Sequence, residues 1–343
     1  MVHLNERKII MADEKSKATL LKEEIMMKGK KGVAALSAEE VEKSDDFCVG
    51  YKEFLDHSPV EREAVSYTLE LAKKAGFTEY DENASYNAGD KVYYVNRDKA
   101  IALAVIGKNG VKNGARLAIA HIDSPRIDLK PNPLYEDTNL ALFKTHYYGG
   151  LKKYQWTALP LSLHGTVVKL DGTKVNITWG DDENESCFCV TDLLPHLAKD
   201  QVSKPLAKVF TGEDLNVLVG SRPYEDGNDE KDLVKLNVMS ILNKKYGIVE
   251  GDFLSAELCL IPSFKARDIG FDASMIGGYG HDDKVCAYPA LMASLDVETP
   301  EQTCVTYLTD KEETGSDGNT GMQSDFLRYF IYDLAKQDGI DGY

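Results

Sequence analysis

Apolar residues recur along this 343-residue chain at two spacings, and each spacing predicts one kind of secondary structure. Short β-branched and aromatic runs bounded by turn residues are typical of strands. Longer segments with apolar residues three and four positions apart are typical of helices. The strand pattern falls at 91–96, 100–106, 116–120, 161–170, 175–179, 257–261 and 303–308, and the helix pattern at 284–294 and 325–336.

Two serines mark predicted helix starts in the first part of the chain. Segments 37–40 and 58–61 each place a glutamate three residues after a serine, which is the spacing of a capping box. The second of these helices should run to about residue 75 and stop at Gly76, which can take the left-handed conformation that ends helices. The stripe that predicts its buried face consists of Ala64, Val65, Thr68, Leu69 and Ala72.

The pattern changes its character between residues 134 and 249. Strands there are short and separated by turn signals such as Asp171-Gly172, which is typical of a hairpin. Before and after this region, strand and helix patterns alternate. We therefore predict an α/β fold in which one domain, formed by residues 1–133 and 250–343, is interrupted by an inserted, smaller β-rich domain formed by residues 134–249.

Composition narrows the class of protein. The chain has 56 acidic and 40 basic residues, a net charge of −16, which argues against nucleic-acid and anionic-membrane partners. Its six cysteines are scattered, and we predict reduced thiols. Residues 1–31 are charged and have no apolar core, so they do not resemble a signal peptide. With no run long enough to span a bilayer, a cytoplasmic protein is expected.

Two adjacent glutamates, Glu312 and Glu313, follow the predicted strand at 303–308. In α/β sheets, ligands bind at the carboxyl ends of strands. Neighbouring side chains diverge, so one carboxylate could hold a metal while the other handles a proton. Taken alone, the segment is more typical of a solvated acidic turn.

A histidine lies at the end of another predicted strand. His121 follows the run at 116–120, and Asp123 comes two residues later. This spacing suits a metal-binding imidazole whose second ring nitrogen is held by a carboxylate. By itself, such a histidine is also typical of a hydrogen-bonded residue in a core or loop.

A third acidic pair follows a glycine-rich loop. Asp282 and Asp283 come after residues 277–280 and before the predicted helix at 284–294. An aspartate there could be an N-cap, or a carboxylate that bridges two metal ions. The three segments together offer imidazole and carboxylate donors from separate elements, a set that suits zinc or a similar divalent ion.

Three motifs in this order resemble the M18 family of metallo-aminopeptidases, the aspartyl aminopeptidase family. They are His-Ile-Asp-Ser-Pro at 121–125, His-Asp-Asp-Lys at 281–284 and Asp-Lys-Glu-Glu-Thr-Gly at 310–315. The resemblance implies a mixed-sheet catalytic domain with two zinc ions per complete subunit, cobalt or manganese being alternatives. It also implies that the inserted domain serves oligomerisation, in a dodecamer built from dimers.

The resemblance also assigns roles to the motif residues. It implies that His121 binds one metal with Asp123 as its support, and that Glu313 binds the second metal. Glu312 would be the general base. Asp282 would bridge both metals, with Asp283 as its competitor.

His196 requires a separate interpretation. Its surroundings at 193–197 have the pattern of a short amphipathic helix with one polar residue. The resemblance implies that His196 binds substrate by reaching into the active site of a neighbouring subunit.

These roles imply a metal-dependent aminopeptidase that hydrolyses the N-terminal residue of peptides, in this family often Asp or Glu, with a metal-activated water. Family members carry a further metal-binding aspartate and a C-terminal metal-binding histidine, for which this sequence offers no counterpart. We therefore expect a C-terminally truncated chain that is inactive alone. The alternatives are a non-catalytic scaffold subunit, which would bind little metal, and another di-metal peptidase such as a glutamyl aminopeptidase.

Overall fold

The computed structural model describes residues 15–29, 32–225 and 230–340. The interpretation of residues 1–31 therefore falls in part on 1–14, 30 and 31, which lie outside the described residues. The helices are α1 (Lys17–Ile25), α2 (Ala38–His57), α3 (Glu61–Lys74), α4 (Lys199–Val202), α5 (Leu233–Tyr246), α6 (His281–Asp296) and α7 (Phe326–Gln337). None of these described helices is both long and apolar enough to cross a membrane.

Thirteen strands are described, and they form two large sheets and one small hairpin. The strands are β1 (Thr78–Glu79), β2 (Lys91–Asn96), β3 (Ala100–Val105), β4 (Arg116–His121), β5 (Arg126–Asp137), β6 (Leu140–Tyr148), β7 (Leu161–Val168), β8 (Lys174–Trp179), β9 (Val217–Gly220), β10 (Ala256–Pro262), β11 (Arg267–Ile269), β12 (Met275–Gly277) and β13 (Cys304–Thr309). The strands and helices predicted from periodicity are confirmed to within three residues at each end.

The first sheet has five strands in the order β1-β2-β3-β13-β4. It is mixed, because β13 runs parallel to β4 and antiparallel to β3. The central strand β3 is buried along its whole length. Alternate residues of a strand point to opposite faces, so Ile101 and Leu103 pack with α3 and α6, whereas Ala102 and Ala104 pack with α7. The predicted α/β fold with a mixed sheet is confirmed.

The second sheet has six antiparallel strands in the order β8-β7-β10-β5-β6-β9. Its core includes Phe143 and Leu161, with Val234 and Leu242 of α5 packed against them. The sheet begins at β5 and ends at β10, so it extends beyond residues 134 and 249 on both sides. The reason is that β10 pairs along its length with β7 and also pairs with β5. The division of the chain into a catalytic and an inserted domain stays a prediction.

The first predicted capping box is confirmed. At the start of α2, the backbone N–H of Glu40 donates to Ser37 Oγ over 3.3 Å. In return, the backbone N–H of Ser37 donates to Glu40 Oε2 over 2.7 Å. Both groups thereby satisfy a free donor at the helix start.

The second predicted capping box, at 58–61, is wrong. Helix α3 begins at Glu61 itself, with Val60 as its N-cap. The Glu61 side chain is buried, and it accepts a hydrogen bond from Arg126 Nη1 over 2.6 Å. A guanidinium is a stronger partner for a buried carboxylate than a backbone N–H, so the long-range ion pair prevails over the local cap. The end of the helix is as predicted, since Gly76 has a φ of +87°.

All six cysteines are free thiols, as predicted. Cys259 is buried, and burial raises the pKa of its thiol well above the usual value. Cys187 and Cys286 are exposed. Only Cys259 therefore acts as the small buried hydrophobe that a cysteine in an apolar run suggests.

Candidate metal centre

The carboxyl ends of two parallel strands bring the predicted site residues together. His121 is the last residue of β4, and it lies in register with Thr309, the last residue of β13. The chain leaves β13 through Asp310 and a left-handed Lys311 (φ +70°) into a short 3₁₀ turn, Glu312–Thr314. Both glutamates therefore lie beside the imidazole, at the sheet edge where the sequence predicted a site.

The donor atoms of three side chains converge. His121, Glu312 and Glu313 each offer an atom, and these atoms all lie within 4.8 Å of one another. His121 Nε2 is 3.7 Å from Glu312 Oε2 and 3.2 Å from Asp282 Oδ1. The imidazole of His121 thus faces carboxylates from two other segments of the chain. This convergence argues against the interpretation of Glu312 and Glu313 as a solvated acidic turn.

Asp123 is fully buried behind this cluster and organises it. Its Oδ1 lies 3.2 Å from His121 Nδ1, and its Oδ2 accepts a 2.7 Å hydrogen bond from the hydroxyl of Tyr148. The backbone N–H groups of Glu312 and Glu313 also donate to its two oxygens, each over 3.2 Å. Burial alone would raise the pKa of Asp123, but the hydrogen bonds from His121 and Tyr148 hold it below its usual value.

The charges and burial of this cluster raise the pKa values of His121 and Glu313. Burial favours the neutral imidazole of His121, yet the hydrogen bond and charge of Asp123 raise its pKa to about 9. Burial and repulsion from Asp123 raise the pKa of Glu313 above its ordinary value. A divalent cation bound here would relieve the negative charge that raises both pKa values. It would also favour the neutral imidazole, since a ligating imidazole is neutral.

The predicted bridging aspartate adjoins this cluster. Asp282 and Asp283 lie at the start of α6, where both have non-helical backbone angles and the peptide bond joining them is cis. The helix is capped at Gly280. Asp282 is 85% exposed with its carboxylate against His121 Nε2, so an incoming ion can reach it. Its bridging role, and the competing role of Asp283, stay predictions.

His196, the predicted substrate-binding residue, is exposed. The segment around it forms an exposed turn instead of the expected amphipathic helix, with Leu194 and Leu197 also exposed. Among the described residues, the group of converging donors does not include His196. Its predicted role concerns a neighbouring subunit and stays a prediction.

Two features of the site were not predicted from the sequence. Lys284 is completely buried and donates to Ser124 Oγ over 2.7 Å, and burial lowers its pKa to about 8. Tyr148 and Gly149, in a Tyr-Tyr-Gly-Gly segment, contact Asp123 and Glu313. The sequence signal for this segment was its position within the predicted β-rich region, and that is a weak signal.

The fold and the cluster define a class: a metal-binding α/β protein whose site lies at the carboxyl edge of a mixed sheet. Imidazole and carboxylate donors on separate elements fit zinc. Residues 54–339 match the family model described as aminopeptidase I zinc metalloprotease (M18). The chain therefore belongs to the M18 peptidase family.

Individual relatives agree with this assignment. The chain is 50% identical over 293 residues to a probable M18 family aminopeptidase 1 of Clostridium acetobutylicum, covering 84% of this chain and 63% of that protein. A crystal structure of an M18 aminopeptidase from Thermotoga maritima superposes with a TM-score of 0.86 at 42% identity, covering 92% of this chain and 68% of that one. The chain thus spans about two thirds of the length of these relatives.

A more distant structure shares the fold alone. The Saccharomyces cerevisiae mApe1 dodecamer superposes with a TM-score of 0.67 at 19% identity, covering 86% of this chain and 67% of that chain. The fold is therefore retained at low sequence identity.

Proposed function

We propose that this protein is a metal-dependent aminopeptidase that hydrolyses the N-terminal residue of peptides. The observation that carries the proposal is the convergence of His121, Glu312 and Glu313 donors within 4.8 Å, in a chain of the M18 family. We further propose two divalent ions per subunit, zinc first, with cobalt or manganese as alternatives.

Four side chains would share the work around the ions. His121 and Glu313 would each hold one ion, and Asp282 would hold both. Bound zinc would supply a water of lowered pKa and a polarised peptide carbonyl. Glu312 would take the proton of the attacking water at Oε2 and return it to the leaving nitrogen. Its side chain is 56% exposed beside His121, so a substrate could reach it.

One feature of the site supports removal of N-terminal residues over internal cleavage. The carboxylates that hold the ions also attract the α-ammonium group of a peptide. A preference for Asp or Glu at that position, which the family resemblance implies, would need a local cation, and the substrate panel below tests it.

One alternative predicts a different metal content, and the other predicts a different family. A non-catalytic scaffold subunit would bind little zinc, and the donor cluster argues against it. Another di-metal peptidase, such as a glutamyl aminopeptidase, would share the site chemistry, and the M18 match argues against it.

We propose a homo-oligomer, with a dodecamer as the specific form. Support comes from the shared fold of the yeast dodecamer and from the exposed position of His196, which suits a contact with another subunit. A cytoplasmic location stays an expectation from composition.

The test is a metal-reconstitution assay of the full-length gene product. Chelator-treated protein is loaded with zinc, cobalt or manganese, and release of N-terminal Asp, Glu and Leu from short peptides is followed. We expect metal to restore release and N-acetylated peptides to resist. Equal release by metal-free protein, or cleavage of acetylated peptides, would contradict the proposal. The same assay on residues 1–343 tests the expectation that this segment alone is inactive.

A further inference from the structure

The metal centre lies on the first sheet, but part of its support comes from the second. Strand β6 ends at Tyr148, and Gly149 follows. We propose that Tyr148 and Gly149 form a positioning element for the metal centre. The tyrosine hydroxyl orients Asp123, and the glycine leaves the space that Glu313 occupies. The inference rests on the proposed metal-dependent function, and it concerns two residues to which the motifs assign no role.

The first contact fixes the supporting carboxylate. Tyr148 is 7% exposed, and its hydroxyl donates to Asp123 Oδ2 over 2.7 Å. The other oxygen, Oδ1, faces His121 Nδ1 over 3.2 Å. A carboxylate held at both oxygens cannot rotate away from the imidazole. Without the hydroxyl, Oδ2 would keep only the longer bond from the backbone of Glu313.

The second contact fixes the tyrosine ring. The guanidinium of Arg126 lies 4.2 Å from the ring centroid, and Lys311 Nζ lies 5.3 Å from it. Both distances fall in the range of cation–π attraction. Arg126 is itself held by Glu61 over 2.6 Å. Lys311 directly precedes Glu312, so the ring is linked to the turn that carries the glutamates.

The third contact is a close approach of backbone to a predicted ligand. Gly149 has a φ of +69°, and a Cβ placed there would lie 3.0 Å from both Cβ and Oε2 of Glu313. A side chain at this position would require Glu313 to shift by a few tenths of an ångström and would also be strained in the left-handed region. The position of Glu313 and the backbone conformation therefore both favour glycine here.

These contacts act on the metal through Asp123 and Glu313. Partners that orient a ligating histidine affect metal affinity, typically by 10–100-fold when they are lost. Loss of the Tyr148 hydroxyl should therefore weaken metal binding without removing a donor atom. A purely structural role would lower stability and leave the affinity of the folded protein unchanged.

The experiment compares Tyr148→Phe with Tyr147→Phe in the full-length protein. Tyr147 is the preceding residue of β6, is 36% exposed and stacks on His146, so it is a matched control. The zinc dissociation constant is measured by chelator competition, and the visible spectrum of the cobalt-loaded protein reports ligand geometry. We expect about 10–100-fold weaker binding and an altered spectrum in Tyr148→Phe, with wild-type values in Tyr147→Phe.

A second variant, Gly149→Ala, tests the contact of the positioning element with Glu313. If circular dichroism shows that Tyr148→Phe does not fold, Gly149→Ala becomes the deciding variant. We expect a loss of zinc affinity at least as large. The inference would be overturned if the deciding variant kept the wild-type zinc affinity and cobalt spectrum. Loss of affinity in a protein that never releases N-terminal residues would uphold it and overturn the proposed function instead. A wild-type protein that binds no metal would overturn both.

Discussion

Two buried histidines of this chain have similar surroundings and different chemistry. His121 lies against Asp123, and His164 lies between Glu63 and Asp181. Burial disfavours the charged form of both, yet the hydrogen bonds that each imidazole donates to carboxylates raise each pKa to about 9. By protonation alone the two sites could not be told apart.

The difference lies in where the carboxylates point. At His164, Glu63 occupies Nδ1, and Nε2 is shared by Asp181 and the hydroxyl of Ser162, each 3.0 Å away. The acidic groups lie on opposite sides of the ring, and the imidazole is 1% exposed.

At His121, the carboxylates of Asp282 and Glu312 meet the same nitrogen, with Glu313 in reach and with exposed side chains at the rim. Convergence of donors on one accessible point distinguishes a metal centre from a buried ion pair.

The two sites also differ in what they connect. Glu63 belongs to α3, and His164 belongs to β7. The His164 cluster therefore joins a helix of the first sheet to the second sheet. Its charges are satisfied within the chain, so we interpret it as a structural tie, and the comparison yields predictions for both sites.

The largest effect is expected at Glu312, the proposed general base. Glu312→Gln should reduce turnover by about 10²–10⁴-fold and leave metal content nearly intact, because the amide cannot accept the proton of water. Steady-state kinetics and elemental analysis of the full-length protein measure both quantities. Glu70→Gln, at an exposed glutamate paired with Lys74, is the control and should keep normal turnover. Normal turnover in Glu312→Gln would contradict the assignment.

The next prediction separates two adjacent aspartates. Asp282→Asn should remove both metals together, because one carboxylate is proposed to serve two ions. Asp283→Asn should be milder, since it is the carboxylate of Asp282 that lies 3.2 Å from His121 Nε2. Metal content of the two purified variants decides between them. Greater loss in Asp283→Asn would show that the bridge is the other aspartate.

A smaller effect is expected at the structural tie. His164→Gln should lower the free energy of unfolding by about 1.5–3 kcal/mol, because hydrogen bonds to charged partners are lost. Metal affinity should not change. Urea denaturation measures the difference, with the exposed His146→Gln as a control that should stay within about 0.5 kcal/mol of wild type. Loss of metal in His164→Gln would refute the distinction between the two histidines.

The smallest predicted effect is the pH dependence of that tie. The pKa of His164 is raised from the ordinary value of 6.5 to about 9 in the folded protein, so its stabilisation is complete below pH 6.5 and is lost as the pH rises through 9. The stability difference between wild type and His164→Gln should therefore shrink between pH 7 and pH 10. Groups facing the imidazole are Glu63, Asp181 and Ser162, and Lys265 acts on Asp181. A difference that grows with pH would contradict this sign.

Much of the secondary structure was predictable because buried apolar residues recur along strands and helices at short, regular spacings. The apolar run at 303–308 predicted β13, and the acidic residues after it predicted a site at its end. Strand partners were not predictable in the same way. The run at 257–261 predicted a strand, but only pairing with β7 and β5 places β10 in the second sheet.

The candidate metal centre likewise has residues that the sequence predicted and contacts that only the tertiary structure decided. Residue type and position after a strand determined His121, Glu312 and Glu313 as candidates, because strand ends at a sheet edge are close in any such fold. Tertiary structure alone decided that Glu61 pairs with Arg126 instead of capping its helix, and that Tyr148 holds Asp123. Hydrogen bonds and ion pairs act only over about 3–4 Å, so partners far apart in the chain are chosen by packing, which a local pattern does not encode.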